Sequence, residues 1–527
     1  MKTFENFTRL SESMVWELQR QFYVENGIEF WRERSSFGAA ASAVVDTIAD
    51  LLVSIFASWV STLDASEPIY IIELGAGSGC FAFRFFRRFL SQISKNGVLS
   101  AFKFRYVMTD IIPEIPDVWA ENSQLNSFVE LGVLDFAFFE PARMQSFNTS
   151  QFDWQLDATT FVNPPLFIAN SVFDTIAADG FKFECGNCSE IQVALSTELT
   201  DASPISALLG NALQFHQRDG EPVVTASHEN GSIDTVVSAH KSVADVVSDE
   251  KSVANVLSDD KSVANVVHEH AVRETLGPDA NALQKILSCY ANTLRDGVVT
   301  IPTEALKIIQ NLHGLCDSRF ALFVCSRGHT SLMHPNLQKE LTYNDLSFPL
   351  NFDALQKYFT SDGGAMHLSS GDEVGRKIAA GFTSKLQMDV AALDSAFAQA
   401  LARLEQYDAC IDNLQKARGF DVTEVSAIDT FVDLMQQVHC DPAIFVKLVA
   451  TMLDAIEGEL SHVDTKVVTT LQDVLQDVNE QIYSFDRELP PLLSDSDPYS
   501  ALIKTWQRAN FAHHLPKGSV AFSSFND

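Results

Sequence analysis

Basic residues are scarce in this chain. Its 527 residues carry 37 Lys and Arg against 69 Asp and Glu, a formal net charge of −32. Nucleic-acid binding and docking on anionic lipid both draw affinity from cations, so this balance argues against either partner. Arg84, Arg87 and Arg88 form a local basic cluster, which reads as a solvated helix face. Cysteine is sparse as well. Eight residues scattered from Cys80 to Cys440 cannot build the dense disulfide framework of a small secreted domain, so a reducing, cytoplasmic setting is expected. Cys185-Gly-Asn-Cys188 is an isolated pair. A structural zinc needs further ligands at comparable spacing, so no metal is expected. An uninterrupted membrane-length apolar run is also lacking. The longest candidate, residues 39–60, contains Asp46 and Asp50, and carboxylates at such depth are costly in lipid. It reads instead as a buried helix, and no membrane partner is expected. The first residues show neither the apolar core of a secretory signal nor the Arg-rich, amphipathic character of an organelle presequence.

Phenylalanine is abundant, with 39 residues, which implies large aromatic cores. The length predicts two or three domains. Residues 1–60 read as a helical lid, with Trp16, Leu18, Phe22 and Tyr23 at helical spacing and a second helical run from Ala39. From Ile69 the texture changes to short apolar runs separated by helical stretches. The strand candidates are Ile69–Leu74, Phe104–Thr109, Phe128–Val133, Leu166–Asn170 and Phe320–Cys325. Runs apolar on both faces and separated by helices predict a doubly wound, mostly parallel α/β sheet over residues 61–375.

Between the fourth and fifth candidates the chain reads as irregular and carries a decamer repeat. His240-Lys-Ser-Val-Ala-Asp-Val-Val-Ser-Asp249 is followed by two near copies ending at Glu269. Ten residues turn about 1000° in a helix, so the valine stripe drifts by about 80° per copy and makes no steady face. A solvated insertion over about 232–272 is expected, with a partner-binding helix as the alternative. Residues 376–527 read as a separate all-α domain, with helical runs around 390–417, 444–460 and 467–482.

The chemistry concentrates in Ile69-Tyr-Ile-Ile-Glu73-Leu-Gly75-Ala-Gly77-Ser-Gly79-Cys. A strand runs into a glycine turn and then into an amphipathic helix, and alternate glycines let backbone approach a ligand closely. The dinucleotide fingerprint spaces its glycines differently and receives a pyrophosphate. Here Glu73 stands two positions before the first glycine. A carboxylate there would repel pyrophosphate but could accept from an ammonium, which favours S-adenosylmethionine (SAM) over a dinucleotide.

Asp110 closes the second strand candidate and is placed to accept ribose hydroxyls. Leu134-Asp135-Phe136 stand where the third strand candidate ends. There Asp135 could accept from the adenine amino group, with Leu134 and Phe136 covering the ring. Asn170 and Asp174 follow the fourth candidate and would face the transferring methyl. Asn163-Pro-Pro-Leu166 invites comparison with the tetrapeptide of nucleobase methyltransferases, but it precedes the fourth strand instead of following it and lacks the aromatic residue.

ELGAGSG, YVMTD, GVLDFAFF and LFIANSVFDTI together resemble the MidA-like class I methyltransferases, and relatives of that group that append helical repeats. The resemblance also takes in residues 16–31, 283–312 and 320–364. It implies a seven-stranded-type methyltransferase sheet and SAM as cofactor. The group includes a mitochondrial protein arginine methyltransferase that assists respiratory complex I assembly, so the resemblance implies a protein substrate. Two departures are visible. MidA-like enzymes usually read N-E-F-F-D after the fourth strand, and this chain has Ser171 in place of the glutamate. The N-terminal loop, here Arg32-Glu-Arg-Ser-Ser-Phe37, is shortened. The expected function is SAM-dependent methyl transfer to a protein. The rival is a catalytically idle scaffold that binds a partner through its helical domain.

Overall fold

The structure is a computed structural model. It describes residues 2–34, 40–198, 214–224, 280–330, 347–369, 374–386, 390–416 and 427–442, with isolated positions as far as Gln481. The decamer repeat and most of residues 444–482 lie outside the described residues.

Seven strands form the continuous path of the main sheet: β1 (Ile69–Leu74), β2 (Phe104–Asp110), β3 (Leu134–Phe138), β4 (Leu166–Asn170), β5 (Ala321–His329), β6 (Ala365–Leu368) and β7 (Gly375–Phe382). Their order is β3-β2-β1-β4-β5-β7-β6, and the short strand Leu350–Asn351 pairs beside β5. Neighbours from β3 to β5 are parallel, whereas β7 runs antiparallel to β5 and β6 antiparallel to β7. All of β1 is buried. Helices cover both faces, which is why this strand is apolar throughout instead of alternating. The winding reverses between β1 and β4, and in open sheets of this kind ligands bind in the crevice outside the carboxyl ends of the strands at such a switch point.

One face packs on the helices Ser42–Trp59, Cys80–Lys95, Val390–Lys416 and Ala427–Gln437 in a single core. Phe56, Phe89 and Phe104 meet edge-to-face there, with ring centroids 5.1–5.9 Å apart. Each fully buried phenylalanine contributes about 1.5–3 kcal/mol, so the aromatic surplus goes largely into this seam. The opposite face packs on Ala280–Thr293, Thr303–Leu315 and Phe352–Ser361.

The helix Ser42–Trp59 is long and apolar enough to cross a membrane, yet most of it is buried inside the protein. Its two carboxylates are partnered from neighbouring elements: Asp46 meets Arg88 and the His439 ring, and Asp50 meets Arg403 and Arg88. The basic cluster is therefore not simply a solvated face. Arg84 is buried and donates to the carbonyls of Ala40 and Gln481, because the helix from residue 80 lies under the C-terminal helices.

Three further sequence expectations change. The strand expected over 128–133 is the end of the helix Ser123–Glu130, and the true β3 starts at Leu134. The material between β4 and β5 is not irregular throughout. Asp179–Glu184, Asn187–Thr197, Gln214–Val224 and Asp296–Ile301 make an antiparallel sheet, which the strands Lys2–Thr3 and Thr8–Arg9 join. Cys185-Gly186 is the tight turn of its first hairpin. Both residues have positive φ (51° and 85°), as a type I′ turn requires. Finally, the domain boundary expected at 375/376 falls at the first residue of β7, which extends the main sheet to Phe382.

Candidate functional site

The glycine turn joins β1 to the helix Cys80–Lys95 at the switch point. Gly75, Gly77 and Gly79 have φ of 63°, 52° and 81°, the left-handed region that costs a side-chain-bearing residue energy. Space at Gly75 is short as well: a Cβ there would lie 2.9 Å from Val172 Cγ2. The turn is fastened to β2. Ala76 N donates to the Thr109 carbonyl at 2.9 Å, and Thr109 Oγ1 donates to the Glu73 carbonyl at 2.8 Å. Gly77 N donates to Asp110 Oδ2 at 3.2 Å, while Trp119 Nε1 donates to the Gly77 carbonyl at 3.0 Å.

Asp110 ends β2 beside this turn, 6% exposed, and its Oδ1 accepts from Ile112 N at 3.1 Å. Burial pushes its carboxyl up to about 6, against the pull of backbone N–H donors at Ile112, Gly77 and Ile111. Ile111 beside it is exposed. Glu73 points to the opposite environment. It is 2% exposed and accepts from Tyr106 Oη at 2.9 Å, and burial pushes it to about 8. It lies buried under the turn against Tyr106, a setting that disfavours the charged carboxylate expected from sequence to meet an ammonium.

Leu134, Asp135 and Phe136 are not at the carboxyl edge. The register pairs Asp135 with Val107 and Phe138 with Asp110, so the edge of β3 is at Phe138. Asp135 Oδ1 accepts from Phe136 N and Gln151 N, and Oδ2 from Phe152 N, at 2.7–2.9 Å. It holds the loop after β3. Leu134 and Phe136 sit in the core on the helix side. The adenine contacts expected of these three residues are corrected accordingly. The misplaced strand boundary produced the error.

Asn170 does reach the edge. Leu74 pairs with Ala169, and Asn170 pairs with Cys325 on β5, so Asn170 stands beside Gly75. The next residue, Ser171, has φ 56°, and its N–H donates to the Cys325 carbonyl at 2.6 Å. Asp174 is buried, its carboxyl pushed up to about 6 by burial against the pull of its own backbone N–H, the nearby Ser326 hydroxyl and Arg327. Asp174 Oδ1 and Ser326 Oγ are both buried without a hydrogen bond among the described residues.

The N-terminal helix Met14–Arg34 crosses this edge. Gln19 Nε2 donates to the Thr175 carbonyl at 2.9 Å after β4, and Arg20 lies 3.8 Å from Glu140 after β3. Its approach is fixed by Arg9, paired with Asp179 at 3.0 Å and Glu190 at 2.8 Å. Neither Gln19 nor Trp119 was legible as a site residue, because each acts through a backbone carbonyl far away in sequence. Asn163, by contrast, sits at the amino end of the sheet, bonded to Asp64 and Glu67.

A mostly parallel sheet with a left-handed glycine turn at its switch point and a carboxylate closing the adjacent strand defines a class I methyltransferase fold. The family model described as “Putative S-adenosyl-L-methionine-dependent methyltransferase” matches residues 51–368. The chain belongs to that family, and SAM is its methyl donor. Among curated proteins, none matches. Among solved structures, one from Burkholderia thailandensis bound to S-adenosyl-homocysteine is 12% identical, with a TM-score of 0.36, over 72% of this chain and 94% of that one. The CurJ carbon methyltransferase is 9% identical, with a TM-score of 0.26, over 65% and 55%. An O-methyltransferase family protein from Burkholderia thailandensis is 10% identical, with a TM-score of 0.25, over 66% and 59%.

The residues fit the cofactor. Gly75, Gly77 and Gly79 hold the turn in a left-handed path with no side chain at those positions, and Asp110 offers a carboxylate beside it.

Proposed function

We propose that the chain methylates a protein, with SAM held by the glycine turn and Asp110 and the acceptor placed by Asn170 and Asp174. The observation that carries the acceptor side is Asp174: a buried carboxyl just after β4 whose Oδ1 has only the Ser326 hydroxyl near it, outside full hydrogen-bonding geometry. A buried polar atom left so is costly, and an acceptor's N–H or O–H would satisfy it. With its carboxyl near 6, Asp174 is mostly ionised at pH 7 and can hold or take a proton from that group. Bound SAM supplies a sulfonium-activated methyl group for in-line displacement. The protein's share is then alignment and exclusion of water, which supply much of the rate of such reactions.

Asp110 would accept from the ribose hydroxyls, and Ile111 and Phe138, beside it on the carboxyl edge, offer apolar surface for the adenine. The strand order β3-β2-β1-β4-β5-β7-β6 supports reading the sheet as the seven-stranded methyltransferase type. Two things support a protein acceptor: the resemblance to MidA-like enzymes, and a net charge of −32 that disfavours nucleic acid. The scattered, reduced cysteines suit a cytoplasmic enzyme.

Label transferred from methyl-labelled SAM into a fractionated cell extract tests this. Label should enter the protein fraction with wild type and not with Asp174→Ala. Label confined to nucleic acid or small molecules would refute the protein substrate. Gly77→Val places a β-branched side chain at φ 52° and should abolish SAM binding in a folded chain. Wild type failing to bind SAM at high micromolar concentration would refute the glycine-turn reading itself.

A further inference from the structure

We propose that Trp119 is a positioning residue for the cofactor, acting through Gly77. This rests on the reading that the glycine turn holds SAM. Gly77 is the middle glycine of the turn and is held at both of its polar atoms. Its N–H donates to Asp110 Oδ2 at 3.2 Å, and its carbonyl accepts from Trp119 Nε1 at 3.0 Å. Both partners come from β2 or the helix Ile115–Glu121 that follows it. The clamp therefore ties the turn after β1 to the carboxylate at the end of β2, so the two halves of the site keep one spacing.

A glycine at φ 52° has several backbone states open to it, and an unclamped turn would sample them. SAM would then have to order the turn on binding, which weakens affinity. Trp119 is 1% exposed and its ring packs on Phe136 at 5.8 Å. Packing needs only the ring; the clamp needs the indole N–H. The same clamp keeps the Gly77 N–H on Asp110, where it favours the ionised carboxylate.

The two roles separate in Trp119→Phe, which keeps most of the apolar ring and removes the donor. Trp59→Phe is the control: Trp59 is also 1% exposed, lies on the helix Ser42–Trp59, and packs on Phe56 and Phe382. The measurement is calorimetric SAM binding from pH 5 to 8, with Tm recorded alongside. Trp119→Phe should weaken SAM roughly three- to tenfold, the range expected for one lost hydrogen bond. The midpoint of its pH dependence should move upward, since Asp110 loses part of its support, and KM for SAM should rise with kcat largely kept.

Trp59→Phe should lower Tm comparably and leave affinity and midpoint unchanged. Wild-type affinity in Trp119→Phe, or equal weakening in Trp59→Phe, would overturn the proposal. Should Trp119→Phe not fold, Trp119→Tyr makes the same comparison with a polar ring that lacks the indole donor. If Gly77→Val still binds SAM, the glycine-turn reading falls first and the clamp with it. If Gly77→Val abolishes binding and Trp119→Phe does not weaken it, only the clamp falls.

Discussion

Three buried carboxyls around the glycine turn and the end of β4 are held away from their ordinary range, each chiefly by burial: Glu73 at about 8, and Asp110 and Asp174 at about 6. Asp110 accepts hydrogen bonds better when ionised, so SAM affinity should rise with pH through about 6 and level off above it. Below that point it should fall about tenfold per pH unit, a slope that Asp110→Asn removes along with about ten- to hundredfold of affinity. Titration calorimetry between pH 5 and 8 reads both effects. Glu73 makes a separate prediction. Its folded value lies above its unfolded one, so its contribution to stability is complete below the unfolded value and is lost as pH rises through about 8. Glu73→Gln keeps the shape, cannot ionise, and should flatten the decline of Tm between pH 6 and 9. An unchanged decline would mean that the group is already ionised near neutrality.

At the scale of elements, the strand–turn–helix from Ile69 to Lys95 was legible because it is local: an apolar run, alternate glycines, and a helix of regular spacing. β3 was not. The chain from Phe128 to Phe138 is mostly apolar, and an apolar run does not say where a helix stops and a strand begins. Placing the strand early put Asp135 at the wrong end of it. The corrected position is testable. Asp135→Ala strands three backbone donors and should lower Tm by a few degrees, corresponding to about 1–3 kcal/mol, with SAM affinity within about threefold of wild type. A loss of SAM binding as large as that of Asp110→Asn would return Asp135 to the cofactor site. The helix Met14–Arg34 reaches the edge through Gln19 and Arg20. Gln19→Ala should change transfer more than it changes SAM affinity, measured as kcat against Kd.

Across the whole molecule, the C-terminal helices share the core of the sheet. Asp441, fully buried, accepts from Ser42 N at 2.8 Å and Ser42 Oγ at 3.1 Å, and lies 3.8 Å from Arg84 Nη1. A residue some four hundred positions downstream thus supplies the anion at the N-terminus of the helix Ser42–Trp59, where orphan N–H groups and the helix dipole favour one. Removing it leaves Arg84 buried without that partner. Asp441→Ala should therefore destabilise by about 3–5 kcal/mol, visible by calorimetry as one earlier transition in which sheet and helices melt together. Two separate transitions in wild type would show that the helices form a domain of their own.

Local pattern carried the identity of the cofactor. The glycines, Asp110 and the strand end at Asn170 were readable because spacing along the chain decides turn geometry and strand polarity. What the tertiary structure alone decided is where each side chain points and what it meets. It turned Glu73 to Tyr106, gave Asp135 to a loop, set Trp119 on Gly77, and closed Asp441 over Ser42. Each of these is a contact between segments far apart in sequence. Such contacts are selected by packing and by the need to satisfy every buried polar group, and neither leaves a periodic trace along the chain.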